Sequence, residues 1–167
     1  EQGVIRFFGN PAPIQRNYLA SELRVDTANY ELAGSVHIQV GVAGGDEVNE
    51  SRWLDEVAEV DGLPSALVGF CELAEENAQQ VLDDQSRIRR LRGVRHIVGR
   101  SQEEDAASGS DSLLDNPAWV ENLASLRERN LSFDLQLIPQ QIERAAKVLQ
   151  RLPGLQVALC HCGSPWD

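Results

Sequence analysis

Hydrophobic and polar positions follow two different periods along the chain. Short apolar runs, continuous or alternating every second residue, predict strands at residues 35–42, 65–71, 92–98, 131–138 and from 156 onward. Between them, apolar residues recur every three or four positions, which predicts amphipathic helices at about 46–61, 75–86, 117–130 and 139–152. Strict alternation of strands and helices is the pattern of repeated βαβ units and predicts a parallel α/β sheet.

The predicted helices are bounded by residues that commonly begin or end helices. Asp46 is a candidate N-cap, and Asn116 before Pro117 is a strong start signal. Residues 1–34 and 101–116 lack clear periodicity. We therefore predict an irregular leading segment over 1–34 and one domain over 35–167, with 101–116 as a long surface loop, either a lid or disordered.

The polar faces of two strands favour a barrel over an open sheet. Strand 35–42 pairs an aliphatic face with a face that carries His37 and Gln39, and strand 131–138 likewise carries Asp134 opposite an apolar face. An open doubly wound sheet is covered on both faces, and burying unpaired polar groups costs about 1–3 kcal/mol each. We expect these groups to line the interior of a TIM-type (β/α) barrel. A complete barrel takes about 250 residues, so this chain would hold about five of its eight βα units.

The last predicted strand ends in a candidate catalytic histidine. The apolar run 157–160 ends at His161, and Gly163 follows two residues later. Strand tips on this side of a parallel sheet are where such folds place their chemistry, although a histidine there can also be structural. In an extended chain, Cys160 and Cys162 would face away from His161, which argues against a Cys-His-Cys zinc site.

Composition and charge exclude some kinds of binding partner. A formal net charge of −11 argues against a nucleic-acid or anionic-membrane surface. The arginines within residues 87–100 fit a solvated helix end, with phosphate binding as the alternative. No apolar run has membrane length, and no basic-then-apolar stretch opens the sequence, so we do not expect secretion. Three cysteines without a disulfide framework fit a reducing cytoplasm. With nucleic acid and membrane excluded, we expect a small-molecule partner; the sequence does not indicate an oligomeric state.

Several segments in register carry a family likeness. They are Val36-His37-Ile38-Gln39, Gly93-Val94-Arg95-His96-Ile97, Asp115-Asn116-Pro117-Ala118-Trp119, Leu131-Ser132-Phe133-Asp134-Leu135 and His161-Cys162-Gly163-Ser164-Pro165. Together they resemble the amidohydrolase superfamily, in particular the amidohydrolase family 2 branch that includes sugar-lactone and dicarboxylate-lactone hydrolases.

The resemblance implies a (β/α)₈ hydrolase that opens lactones or related cyclic esters or amides. It places His161 in the active site as the histidine of the H-x-G-x-P segment. It implies that Arg95 binds a substrate carboxylate or carbonyl, and that Gln39 and Asp134 line the mouth. It leaves open whether one divalent metal such as zinc is bound, with His161 as a ligand, or none.

The chain departs from the family pattern at both ends of the catalytic set. It contains no His-x-His pair, and the late-strand aspartate would lie beyond Asp167. Both ends of the sequence look cut, so we expect a fragment that is inactive alone. The alternative is a non-catalytic or partner-completed barrel segment with a structural or binding role.

Overall fold

A computed structural model describes residue 10 and residues 12–165. Its contacts divide the chain into two compact units, Glu1–Ala33 and Gly34–Asp167. In the described part of the first unit, a 3₁₀ turn at Ala12–Ile14 precedes helix α1, Ala20–Asp26. The carboxylate of Glu22 accepts the Leu19 amide at 2.7 Å, which satisfies one of the free N–H groups at the start of α1.

The second unit is built on a parallel five-stranded sheet, as predicted. Its strands are β1 (Val36–Ile38), β2 (Ala66–Phe70), β3 (Leu91–Ile97), β4 (Ser132–Gln136) and β5 (Val157–Leu159). They lie in the order β1-β2-β3-β4-β5, so that each strand pairs with its neighbour in sequence. A doubly wound sheet reverses its strand order at a switch point. The order without a reversal is that of a barrel segment.

The helices cover one face of this sheet. They are α2 (Glu47–Asp61), α3 (Ala78–Ser86), α4 (Gln102–Ser108), α5 (Pro117–Ser125) and α6 (Ile142–Leu149). One hydrophobic core joins the strand residues Leu67, Val94 and Phe133 to helix residues that include Leu82 and Trp119. The indole of Trp119 packs edge-on against the ring of Phe133, with centroids 5.7 Å apart.

Of the two predicted N-caps, Asn116 makes a side-chain cap bond and Asp46 does not. Gly62 ends α2 in the left-handed region with φ 73°, and the side chain of Asn116 accepts the amide of Ala118 at 2.9 Å. Asp46 precedes α2 but makes no side-chain cap bond.

The prediction of a long irregular loop at 101–116 was wrong. The segment forms α4 and a 3₁₀ helix at Ser110–Asp115. Ser101 caps α4 by accepting the Glu104 amide at 3.1 Å, and buried Asp105 accepts the Arg100 amide at 2.8 Å. A helix of two turns is too short to establish a hydrophobic period, which is why the pattern missed it.

The register corrects the predicted orientation of β1. His37 pairs with Leu67, a core residue beneath the helices, whereas Ile38 pairs with Val68 on the other face. The aliphatic residues of β1 therefore share the face of Arg95, and His37 lies on the helix side instead of in the interior. Alternation predicts which residues share a face, but it does not predict which face the helices cover.

Both edge strands expose apolar side chains. Val36 and Val40 are 60% and 72% exposed at the β1 edge, and Leu159 is 50% exposed on β5. The described sheet does not close, because β1 and β5 each pair on one side only. None of the helices in the described part of the chain is long and apolar enough to cross a membrane.

Candidate active site

Arg95 and Asp134 are register partners on the face of the sheet that the helices leave open. Arg95 lies on β3 and Asp134 directly opposite on β4. The guanidinium does not pair with this carboxylate: Nη2 of Arg95 donates to the backbone carbonyl of Gln39 at 2.5 Å, across the intervening strand β2. The Nε atom of Arg95 is buried and has no hydrogen-bond partner. Burial lowers the pKa of Arg95, and the neighbouring Cys160 and Asp134 oppose that shift.

The carboxylate of Asp134 is buried and lacks a hydrogen-bond donor. The residue is 8% exposed, and within residue 10 and residues 12–165 no hydrogen bond or ion pair within 4.0 Å reaches its carboxylate. Burial raises the pKa of Asp134, and the positive charge of Arg95 partly offsets the shift. Buried polar groups are normally paired. A carboxylate that lacks a donor, beside an arginine Nε–H that lacks an acceptor, is therefore suited to a ligand that supplies the missing hydrogen bonds.

Cys160 belongs to the same face, and sequence reasoning missed it. Asp134 pairs with Ala158 on β5, and Cys160 follows Ala158 by two residues. Burial raises the pKa of the Cys160 thiol, Asp134 adds to the shift, and Arg95 opposes it. The two-residue period of the last strand is the signal that could have placed Cys160 beside Asp134.

Gln39 reaches the site through its backbone. The prediction had its side chain line the mouth, but the side-chain Oε1 accepts the amide of Gly41 at 2.8 Å, and only the carbonyl meets Arg95. The residue is buried at the end of β1. Gln39 contributes to the site only a backbone carbonyl that accepts from Arg95, and any residue at this position could supply that carbonyl.

His161 lies two residues beyond β5, in a turn at Cys160–Gly163, with its side chain exposed. The backbone there is left-handed: φ is 50° at His161, 54° at Cys162 and 53° at Ser164. The expectation that both cysteines face away from His161 assumed an extended chain, so it does not apply. The proposed role of His161 rests on its place after a strand tip.

His96 lies on the opposite face from Arg95 and is packed beneath a helix. Nε1–H of Trp119 on α5 donates to Nδ1 of His96 at 3.0 Å, and Nε2 lies 3.3 Å from the carboxylate of Glu72. Burial lowers the pKa of His96 to about 4. The ring is therefore neutral near pH 7 and has a structural role in the core.

The arginines at the end of α3 and in the loop before β3, Arg87, Arg89 and Arg90, make ion pairs, which agrees with the solvated-helix-end interpretation. Arg90 bridges Asp55 at 2.8 Å and Glu59 at 2.7 Å, and Arg89 also pairs with Glu59 at 2.6 Å. These contacts join the loop before β3 to α2. They leave little reason to propose a phosphate site.

The described part of the chain does not by itself fit a zinc centre. It contains no group of three or more His, Cys, Asp or Glu side chains placed to hold one ion. Catalytic zinc sites use three protein ligands. A zinc ion bound near His161 would need ligands from elsewhere.

Comparisons with known proteins agree with this architecture. The profile of a protein family described as "Amidohydrolase" matches residues 15–167. The uncharacterized protein y4mH of Sinorhizobium fredii is 27% identical over 161 residues, which cover 96% of this chain and 54% of that protein. An L-fucono-1,5-lactonase of Burkholderia ambifaria is 23% identical over 116 residues, covering 70% of this chain and 38% of the lactonase.

Solved structures show the same fold. An amidohydrolase from Burkholderia multivorans, crystallised with bound HEPES and with bound zinc, superposes with a TM-score of 0.74 at 20% identity in both crystal forms. The match covers 92% of this chain and 50% of that one. The chain thus spans about half the length of the structures it resembles, and its fold is an incomplete parallel (β/α) barrel.

Proposed function

The chain belongs to the amidohydrolase family, and from that premise we propose that it forms the central part of a hydrolase that opens a lactone or a related cyclic ester or amide. The name of the B. ambifaria relative supports a lactone. The substrate is a small molecule, and the setting we propose is the cytoplasm.

The observation that carries the proposal is the pairing of Arg95 with Asp134 in register but not in contact. The guanidinium offers a buried, unused N–H at Nε, and Asp134 offers a carboxylate without a donor. A lactone carbonyl accepts hydrogen bonds, whereas its hydroxyl groups or an attacking water donate them. Arg95 would hold the carbonyl oxygen, where negative charge develops during hydrolysis. Asp134 would bind a substrate hydroxyl or orient the water.

His161 is the proposed catalytic residue at the mouth. An exposed imidazole beyond a strand tip can donate a hydrogen bond to a carbonyl oxygen. The same ring would be this chain's contribution to a divalent metal site. We assign no step to a metal, because the described residues supply too few ligands for one.

The open sheet edges favour a second candidate, a barrel segment completed by other strands and without chemistry of its own. Unpaired strand edges with exposed valines are prone to pair with further strands. In either case we propose that the 167-residue chain alone is inactive.

The test compares two polypeptides in a pH-indicator assay of lactone opening. One is the 167-residue chain, and the other is the same chain extended by whatever the neighbouring coding DNA specifies. L-Fucono-1,5-lactone and simple five- and six-membered lactones serve as substrates. We expect hydrolysis only by the extended polypeptide. Stop codons directly flanking the segment, or an inactive extended polypeptide, would favour the non-catalytic candidate.

A further inference from the structure

A cleft of about 340 Å³ lies between the segments that follow β3 and β4. Its lining includes Asp105 and Ala106 of α4, Asp111 of the following 3₁₀ helix, Gln140 and Gln141 of the turn after β4, and Arg144 of α6. Segments that follow the strands form the functional end of a parallel barrel. Arg95 and Asp134 do not line this cleft, so it is separate from the site proposed above.

Asp105 brings a carboxylate with an unused oxygen to this cleft. The residue is 3% exposed, and its Oδ1 accepts the Arg100 amide at 2.8 Å and the Ser110 hydroxyl at 3.3 Å. Its Oδ2 is buried and has no hydrogen-bond partner. Because buried polar atoms are normally paired, Oδ2 is placed to receive a donor that the described residues do not supply.

Gln141 adds a second acceptor oxygen beside Asp105. It is 2% exposed, and its amide nitrogen donates to the Val98 carbonyl at 3.2 Å, which fixes the side chain. Oε1 of Gln141 and Oδ2 of Asp105 both lie within 3.0 Å of the point where a Cβ on Gly99 would stand. Oε1 accepts the Ile138 amide at 3.1 Å and has a second lone pair. The two oxygens are therefore close enough together to accept from one donor group.

The charges around the cleft favour a cation. Arg144 is the cationic residue of the lining, and it already pairs with Asp111 at 2.9 Å and with Asp115 at 2.5 Å. Two carboxylates thus offset one guanidinium, and the charge of Asp105 is additional. A metal ion does not fit, because the described residues contain no group of three or more His, Cys, Asp or Glu side chains placed to hold one. An ammonium group needs only acceptors for its three N–H bonds.

We propose that this cleft binds the primary ammonium group of a small organic molecule. Oδ2 of Asp105 and Oε1 of Gln141 accept two of its N–H bonds, and the side chain of Gln140 on the exposed rim can accept the third. Hydrogen bonds between two charged groups are among the strongest in proteins. The inference goes beyond the proposed hydrolase and does not depend on it.

Two probes of equal charge test the proposal on the 167-residue chain. Protonated ethanolamine carries three N–H bonds, and choline has methyl groups in their place. The reporters in NMR titrations are the amides of Arg100 and Gly109, which donate to Oδ1 and to the carbonyl of Asp105. We expect saturable shifts with ethanolamine and a Kd of roughly 1–10 mM, since the ligand has few atoms. Choline should bind about tenfold more weakly. Equal affinities, or shifts that do not saturate, would overturn the proposal.

Two acidic residues of α4 give a matched pair of variants. Asp105→Asn keeps the acceptor for the Arg100 amide and removes the charge, so ethanolamine should bind about tenfold more weakly. Glu103→Gln removes the same charge from an exposed position on the same helix, and it should leave the Kd nearly unchanged. Unaltered binding by Asp105→Asn would contradict the proposal.

A third variant decides the matter if Asp105→Asn does not fold by circular dichroism. Ala106 lines the cleft from an exposed helical position, where leucine is well tolerated. Ala106→Leu should fill the cleft and abolish the saturable shifts, and retained affinity would refute the proposed location. Lactone hydrolysis and amine binding involve different residues, so a negative result in either assay leaves the other result standing.

Discussion

The indole N–H of Trp119 donates to Nδ1 of His96 at 3.0 Å, so the proton of the neutral imidazole lies on Nε2. Nε2 then faces the carboxylate of Glu72 at 3.3 Å. A carboxylate at that distance would favour a charged imidazolium. Burial opposes it, and a second proton on Nδ1 would break the bond to Trp119. We therefore expect measurements to find the pKa of His96 below its ordinary value.

The first prediction concerns stability in mild acid. The pKa of His96 falls from 6.5 to about 4 on folding, so the unfolded chain binds a proton that the folded chain excludes between those values. The stabilising contribution is complete above pH 6.5 and is lost as the pH falls toward 4, by up to roughly 3 kcal/mol. Urea unfolding between pH 7 and pH 4.5 measures it.

His96→Gln should flatten that pH dependence, and Trp119→Phe should raise the pKa of His96 in an NMR titration because the bond to Nδ1 is gone. A His96 ring that titrates near pH 6.5 in the wild type would contradict the prediction.

The second prediction contrasts two aspartates of opposite character. Burial raises the pKa of Asp134 on folding, so its ionisation destabilises the fold as the pH rises above the ordinary carboxyl range. Asp134→Asn should therefore raise the free energy of unfolding at pH 7 by about 1 kcal/mol, and this gain should vanish in acid. Chemical denaturation at pH 7 and pH 3.5 measures the difference.

Asp111 provides the control with the reverse sign. Hydrogen bonds from Gln141 and Arg144 lower its pKa, so its charge stabilises the fold near neutral pH, and Asp111→Asn should weaken it there. If both variants shifted stability in the same direction at pH 7, the assigned causes would be wrong.

The third prediction concerns the role of Arg95 in catalysis. In the extended polypeptide, Arg95→Gln should reduce kcat/KM for lactone opening about a hundredfold, the typical loss on removing a donor to a developing oxyanion. Arg92→Gln is the control, because Arg92 lies on the same strand with its side chain exposed at the opposite end. Equal rates for the two variants would exclude Arg95 from the site.

The fourth prediction tests the packing behind α4. A Cβ on Gly99 would clash with the side chain of Gln141, which is buried and holds the Ile138 amide and the Val98 carbonyl. Gly99→Ala should cost roughly 2 kcal/mol of folding free energy. Gly44→Ala, where a Cβ would meet nothing within 4 Å, should cost little. Thermal unfolding of both variants distinguishes a local clash from a general effect of alanine.

The order of the sheet could be predicted from the sequence because alternating periods encode βαβ units directly. The covered face of β1 could not: Val36 and Ile38 have the composition of core residues but lie on the open face, as do polar residues of β4. Only helix packing decides the covered face. Similarly, Arg95 and Asp134 were predicted as site residues from the family resemblance, whereas the direction that Arg95 takes, toward the Gln39 carbonyl, depends on strand register.

Cys160 shows a different gap. The Cys-His-Cys spacing indicates at most a metal motif, whereas the two-residue period of the last strand places Cys160 with Asp134. The left-handed backbone at His161, Cys162 and Ser164 could not be predicted either, because Gly163 is the only residue type there that favours this conformation.

That backbone has a consequence for stability. At His161, Cys162 and Ser164 the left-handed conformation costs roughly 1 kcal/mol per residue relative to glycine. Replacing any of these side chains by glycine would therefore relieve that cost and raise thermal stability. An imidazole at position 161 is thus held at a cost in stability that a glycine there would avoid.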